Sequence, residues 1–202
     1  MLNKRFELLH GSAVRLVPLK QEHAEALYET ARGQSVWSYI PVRLESPEHM
    51  QSIVSDAVAA AELGAEMPYT IMDNRDNRVL GSTRLFDLSD DHRSVEIGWT
   101  WLTPSVWRTR VNTECKLLLL THAFESMGAI RVQLKTDSRN VRSREAIERI
   151  GGVFEGVLRS HRIMPDGYLR DSVYYSILEK EWPDVKRRLE TMLAARTEDS
   201  MP

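Results

Sequence analysis

Hydrophobic positions recur along this chain in two rhythms. In residues 20–32, "KQEHAEALYETAR", Ala24, Leu27, Tyr28 and Ala31 fall at helical spacing. In residues 94–101 the pattern alternates instead: Val95, Ile97, Trp99 and Trp101 share one face of a strand, and Ser94, Glu96, Gly98 and Thr100 the other. The remaining segments follow one rhythm or the other. Residues 13–19, "AVRLVPL", predict a short strand closed by Pro18, and residues 36–41, "VWSYIP", an aromatic-rich connector. Residues 46–64 predict a strong helix, with Ser46 as N-cap, Pro47 in the first turn and Gly64 as the stop. Three strand-like runs follow at 67–73, 78–88 and 92–102, the first two joined by a hairpin turn at 74–78.

The second half alternates strand and helix. Residues 111–128 predict a helix ended by Gly128, residues 129–137 a strand, and residues 140–152 a helix with a glycine stop. Residues 153–164 and 168–178 form a hairpin about the turn 165–167. Residues 179–195 close the chain as a helix, with a frayed tail at 196–202. This order of elements implies one α/β (α+β) domain: a mixed central sheet of about seven strands with helices on both faces. Its core spans about 13–182, with the C-terminal helix and tail at 183–202.

Composition narrows the class. The chain has 202 residues, 42% hydrophobic and 28% charged, which suits one well-cored soluble domain. A formal charge of −2 gives no general pull toward nucleic acid or an acidic membrane. Cys115 is the single cysteine, so no internal disulfide can form, which fits a reducing, cytoplasmic compartment. Glu7 and His10 interrupt any apolar run near the start, so no signal peptide is expected there. The longest aliphatic run near the middle, 117–120, is too short to span a bilayer. The six histidines lack ligand spacing, so no metal site is expected.

Four stretches carry a resemblance: "VEIGWTWL", "PSVWRTRVNTECKLLLLTHAF", "RVQLKTDSRNVRSREAIERIGGVFEG" and "DGYLRDSVYYSI". Together they resemble the GNAT superfamily of acyl-CoA-dependent N-acetyltransferases, and most of all the branch of Rim-type ribosomal-protein N-terminal acetyltransferases. The resemblance runs from about residue 13 to 182. It implies the GNAT fold, acetyl-CoA as co-substrate, and an amine acceptor on a peptide or small molecule. In that family a turn reading Q/R-x-x-G-x-G/A holds the coenzyme pyrophosphate on backbone N–H groups at a helix N-terminus. The matching residues are Trp107, Arg110 and Asn112, and Arg108 stands where the branch often has glycine. Coenzyme contacts are thereby implied at Trp99, at Trp107, Arg108, Thr109, Arg110, Val111, Asn112 and Thr113, and at Asn140 and Ser143.

Two readings of this arginine-bearing turn stand open. Arg108 and Arg110 supply charge-assisted hydrogen bonds to phosphate, or their stems close a loop that glycine keeps open. The second reading leaves a non-catalytic binding module. For the chemistry, Glu96 is the candidate base, a carboxylate in an otherwise apolar strand; a structural ion pair with Arg84 or Arg131 is the alternative. Ser143 is placed by the resemblance near the sulfur, while helix capping by Asn140 and Ser143 is the plainer account. Ile147 occupies the position of the family's usual tyrosine acid. Open sheet edges in this fold make a homodimer an expectation.

Overall fold

The computed structural model describes residues 1–33 and 35–198. Eight strands form one sheet: β1 (Leu9–His10), β2 (Val14–Pro18), β3 (Met67–Asp73), β4 (Val79–Ser89), β5 (Ser94–Leu102), β6 (Arg131–Asp137), β7 (Val153–Ile163) and β8 (Leu169–Leu178). Their order is β1-β2-β3-β4-β5-β6-β8-β7. Every neighbouring pair is antiparallel except β5 and β6, which run parallel. The strand beyond the expected seven is the two-residue β1.

Five helices cover the sheet: α1 (Ala24–Ala31), α2 (Pro47–Glu62), α3 (Val111–Thr121), α4 (Val141–Arg149) and α5 (Trp182–Glu198). The Ser46 hydroxyl accepts from the His49 N–H and starts α2, as its sequence predicts. Pro47 occupies the first turn. The helix expected over 111–128 divides: α3 gives way to a π-helical turn, His122–Ser126, before Gly128 ends the run at φ 73°. The last helix continues to Glu198, so 196–198 are helical rather than frayed; residues 199–202 of the expected tail lie outside the described residues.

Two cores result. On one face Val95, Ile97 and Leu102 pack with Val111, Cys115 and Leu119 of α3, Ile147 of α4 and Leu189 of α5. On the other, Trp101 packs with Leu27 of α1 and Met50 and Val54 of α2. The expected alternation along β5 therefore fails after Ile97: Trp101 does not share a face with Val95 and Ile97. The reason is a β-bulge. Ser82 pairs with Trp101 and Arg84 with Gly98, so Thr83 alone opposes Trp99 and Thr100. Trp99 sits at φ 51°, and the extra residue inverts the phase of everything beyond it. Among the described residues no helix is long and apolar enough to cross a membrane.

Candidate active site

The bulge opens the site. β5 and β6 pair only from Ser94–Ile97 against Arg131–Leu134, and beyond that their ends diverge. A cleft of about 990 Å³ fills the gap. Its floor is the end of β5, one wall the loop before α3 together with α4, and the other the α1–α2 connector with the final hairpin. Gly98 lies on the floor, where a Cβ would meet the Phe86 ring at 2.7 Å.

Glu96 stands at the fork and is 1% exposed. Its Oε2 accepts from Gln133 Nε2 at 2.7 Å and Lys135 Nζ at 3.0 Å. Its Oε1 is buried without a hydrogen-bond partner among the described residues. The anticipated arginine partners are engaged elsewhere: Arg84 pairs with Glu66 and Arg131 with Glu155. The carboxylate is thus half satisfied, and the residue lines the cleft.

The loop before α3 shows how arginine replaces glycine. Arg108 takes a left-handed φ of 61°, the conformation glycine adopts at least cost. The backbone therefore follows a path suited to glycine although the side chain is long. Arg110 turns away from the cleft. Its terminal nitrogen donates to Ser12 Oγ at 2.8 Å, and its Nε lies 3.8 Å from Glu114 Oε2. Glu114 is buried and accepts from the Ser12 N–H, the Ser12 hydroxyl and the Ala13 N–H, pinning the β1–β2 turn to α3. Arg110 is also the N-cap of α3 but gives no side-chain cap. The amides of Asn112 and Thr113, in the first turn, have no intrahelical acceptor by helix geometry.

Of the residues implied by resemblance, Glu96, Trp99, Trp107, Arg108, Thr109, Asn112, Asn140 and Ser143 line the cleft. The side chains of Arg110, Val111 and Thr113 do not; Val111 joins the core and Thr113 is buried at 1% exposure. Trp107 is fixed by its indole N–H on the Leu102 carbonyl at 2.8 Å, and the Arg142 guanidinium lies 3.7 Å from its ring centroid. Asn140 caps α4 by accepting from the Ser143 N–H at 3.1 Å, so the capping account holds for Asn140, while Ser143 contributes its backbone and not its hydroxyl. Ile147 is a core residue at the edge of the cleft.

Sequence reasoning missed Lys116, Arg162 and Arg170. Lys116 lines the cleft from α3, is 6% exposed, and donates to Thr100 Oγ1 at 3.0 Å. Among the described residues it has no carboxylate partner, and burial pushes its amine down to about 8. The available signal was helical spacing: Asn112, Lys116 and Leu120 form one stripe, and Leu120 is fully buried. Burial also works against the charge of Arg170, which Asp137 partly offsets.

A splayed parallel strand pair, a bulge at the fork and a helix N-terminus beside it form the frame into which known proteins can be compared. The family model described as an acetyltransferase (GNAT) domain matches residues 13–153. The chain belongs to the GNAT acetyltransferase family. YdaF of Bacillus subtilis (strain 168), whose name assigns it provisionally as a ribosomal N-acetyltransferase, is 33% identical over 111 residues. That match covers 55% of this chain and 60% of YdaF, so the chain spans less than two thirds of this curated relative. Among solved GNAT-like structures, one from T. thermophilus, provisionally named an acetyltransferase, superposes with a TM-score of 0.83 at 36% identity, covering 93% of this chain and 97% of that one. Mycobacterium smegmatis RimJ, solved with CoA-disulfide, shares the fold at a TM-score of 0.79 and 24% identity, covering 94% and 92%.

Proposed function

We propose that the protein moves an acetyl group from acetyl-CoA to the amine of a protein N-terminus or a small molecule, by direct attack in a ternary complex. The observation that carries this reading is Glu96: a buried carboxylate with one unused oxygen, on the floor of a cleft at the fork of the parallel strands.

The cleft fits the coenzyme. The first-turn amides of α3 and the positive end of its dipole favour a pyrophosphate. Arg108 adds a cation on the cleft wall, and Arg110, tied to Ser12 and Glu114, does not block it. Arg142 over Trp107 adds a further cation above the loop.

Acetyl-CoA supplies an activated thioester carbonyl. The chain's groups then handle protons and polarity. Glu96 Oε1 takes the proton that the attacking amine loses, directly or through one water. The bulge at Trp99 and Thr100 interrupts the ladder, and an amide left out of the pairing there polarises the carbonyl in this reading. The new C–N bond forms as the C–S bond breaks, and the departing thiolate needs a proton. Lys116 Nζ holds one on the α3 side of the bulge, which supplies the acid that Ile147 cannot. An amine titrating at about 8 is well matched to a thiol near 8.5.

The name of YdaF favours a ribosomal-protein N-terminus within this acceptor class. The open edge of β7, with Phe154, Val157 and Leu158 exposed, favours a homodimer. Titration with coenzyme A, followed by thiol release over a panel of N-terminal peptides, polyamines and amino acids, tests the whole reading. Saturable coenzyme binding with turnover on a panel amine is expected. Failure to bind coenzyme A at millimolar concentration sinks it and fits a non-catalytic module instead.

A further inference from the structure

The hairpin side of the cleft carries two cations without an ion pair among the described residues. Arg162 of β7 and Arg170 of β8 stand directly opposite each other in the ladder. Like charges facing across an antiparallel pair are destabilising. Both line the cleft. Arg170 is 6% exposed, donates one terminal nitrogen to the Tyr39 carbonyl at 3.1 Å, and keeps a buried Nε with no partner. The neighbouring carboxylates are already engaged, Asp137 by Arg139 and Glu96 by Lys135. Among the described residues neither Arg162 nor Arg170 forms an ion pair.

A buried donor without an acceptor is costly, and an opposed guanidinium adds to the cost. A planar anion relieves both at once, because the guanidinium fork matches a carboxylate. Glu96 lies on the same cleft, and its charge is felt at Arg170. Glu96, Arg162 and Arg170 therefore face one cleft.

We propose that the acceptor is an amine bearing a carboxylate, held by Arg170 and Arg162 while its nitrogen lies at Glu96. This rests on the acetyl-transfer reading above and narrows its acceptor. A free amino acid presents that chemistry, and so does a peptide N-terminus followed by an acidic residue.

The test compares kcat/KM within matched pairs: an amino acid against its amide, and a peptide with Asp second against its Asn counterpart. The acid member is expected to win by about tenfold or more in one pair, the range for charge-assisted hydrogen bonds. The pair in which it wins names the source. In Arg162→Gln and in Arg170→Lys that ratio should fall toward one, chiefly through KM. Equal use of both members in both pairs overturns the proposal, as does a ratio that survives both substitutions. Arg162 is exposed, so its variant decides if Arg170→Lys fails to fold. Calorimetry with an N-acetylated amino acid and an N-acetylated acidic dipeptide needs no turnover and separates this site from the reaction. Binding that is lost in Arg162→Gln supports the arginine site even if no amine is acetylated. Absence of binding for both probes, or binding unchanged by the substitution, overturns it even if transfer to other amines is fast.

Discussion

Glu96 and Glu114 are both buried carboxylates, one on β5 and one in the first turn of α3, and they differ in one respect. Glu114 is saturated: both oxygens accept hydrogen bonds from the β1–β2 turn, and Arg110 lies beside them. Glu96 uses one oxygen and leaves the other buried and unpartnered. Burial alone does not separate a working group from a structural one. In the proposed reading, unused hydrogen-bonding capacity at a cleft-lining carboxylate does, because a native fold rarely tolerates it without another use. The same contrast holds among the cations. Arg110 is tied to Ser12 and Glu114, whereas Lys116 makes one hydrogen bond, to a threonine.

The largest effect that can break this contrast is on turnover. Glu96→Gln keeps the shape and removes the base. Turnover should fall by about 10²–10⁴-fold, the usual contribution of a general base. Coenzyme affinity should stay near wild type, while the melting temperature falls because Lys135 loses its partner. Single-turnover measurements check this, and an unchanged chemical step removes Glu96 from the role.

Glu114→Ala should act in the opposite register. It removes four hydrogen bonds from the Ser12–Ala13 turn and leaves buried donors bare. Stability in urea should fall by roughly 2–4 kcal/mol. The single-turnover rate of the folded fraction should not change. A selective loss of the chemical step would place Glu114 with Glu96 and dissolve the distinction.

These two residues also show what the chain made legible. The elements were readable because α2 and β6 obey local rules of capping and alternation. The candidate site was readable in outline because Glu96 breaks the pattern of its strand. The bulge was not, since Trp99 is no glycine and nothing local marks a positive φ. Its effect is non-local: it moves Trp101 to the opposite core and parts β5 from β6. Arg110 was misdirected for a similar reason. Its partner Ser12 lies 98 residues away, and only the folded sheet brings that turn against α3. Lys116 was hidden among the leucines of "CKLLLL", where a lysine ordinarily faces water.

Lys116→Met sharpens the contrast among cations. Its amine is lowered from 10.5 to about 8 by burial. Between those values the unfolded state binds more protons than the folded one, so wild-type stability rises with pH across that window. Below pH 8 both states are protonated and the full cost of burying the charge is present. Methionine removes that cost, so the variant should be more stable at pH 7, by roughly 2 kcal/mol after the lost Thr100 hydrogen bond. The advantage should shrink as pH rises from 8 to 10.5, while turnover is reduced throughout. Urea midpoints measured across pH check the sign; an advantage independent of pH means that Lys116 is not a buried cation.

The smallest effect separates the two loop arginines, which the sequence alone could not distinguish. Arg108 holds a left-handed φ and lines the cleft; Arg110 has an ordinary helical φ and is tied to Ser12 and Glu114. Arg108→Gly relieves backbone strain and should raise stability slightly, by about 0.5–1 kcal/mol. It should also weaken coenzyme A by a few-fold and flatten the salt dependence of binding, because an exposed cation near phosphate is screened by ions. Arg110→Gly should do the reverse: it loosens the β1–β2 turn and lowers stability, with coenzyme affinity close to wild type. Titrating both variants with coenzyme A at two salt concentrations checks the assignment. Tighter binding by Arg108→Gly would mean that its stem closes the loop. A larger affinity change in Arg110→Gly than in Arg108→Gly would mean that Arg110 leaves Glu114 when the coenzyme arrives, and the saturated pair would then be part of the site.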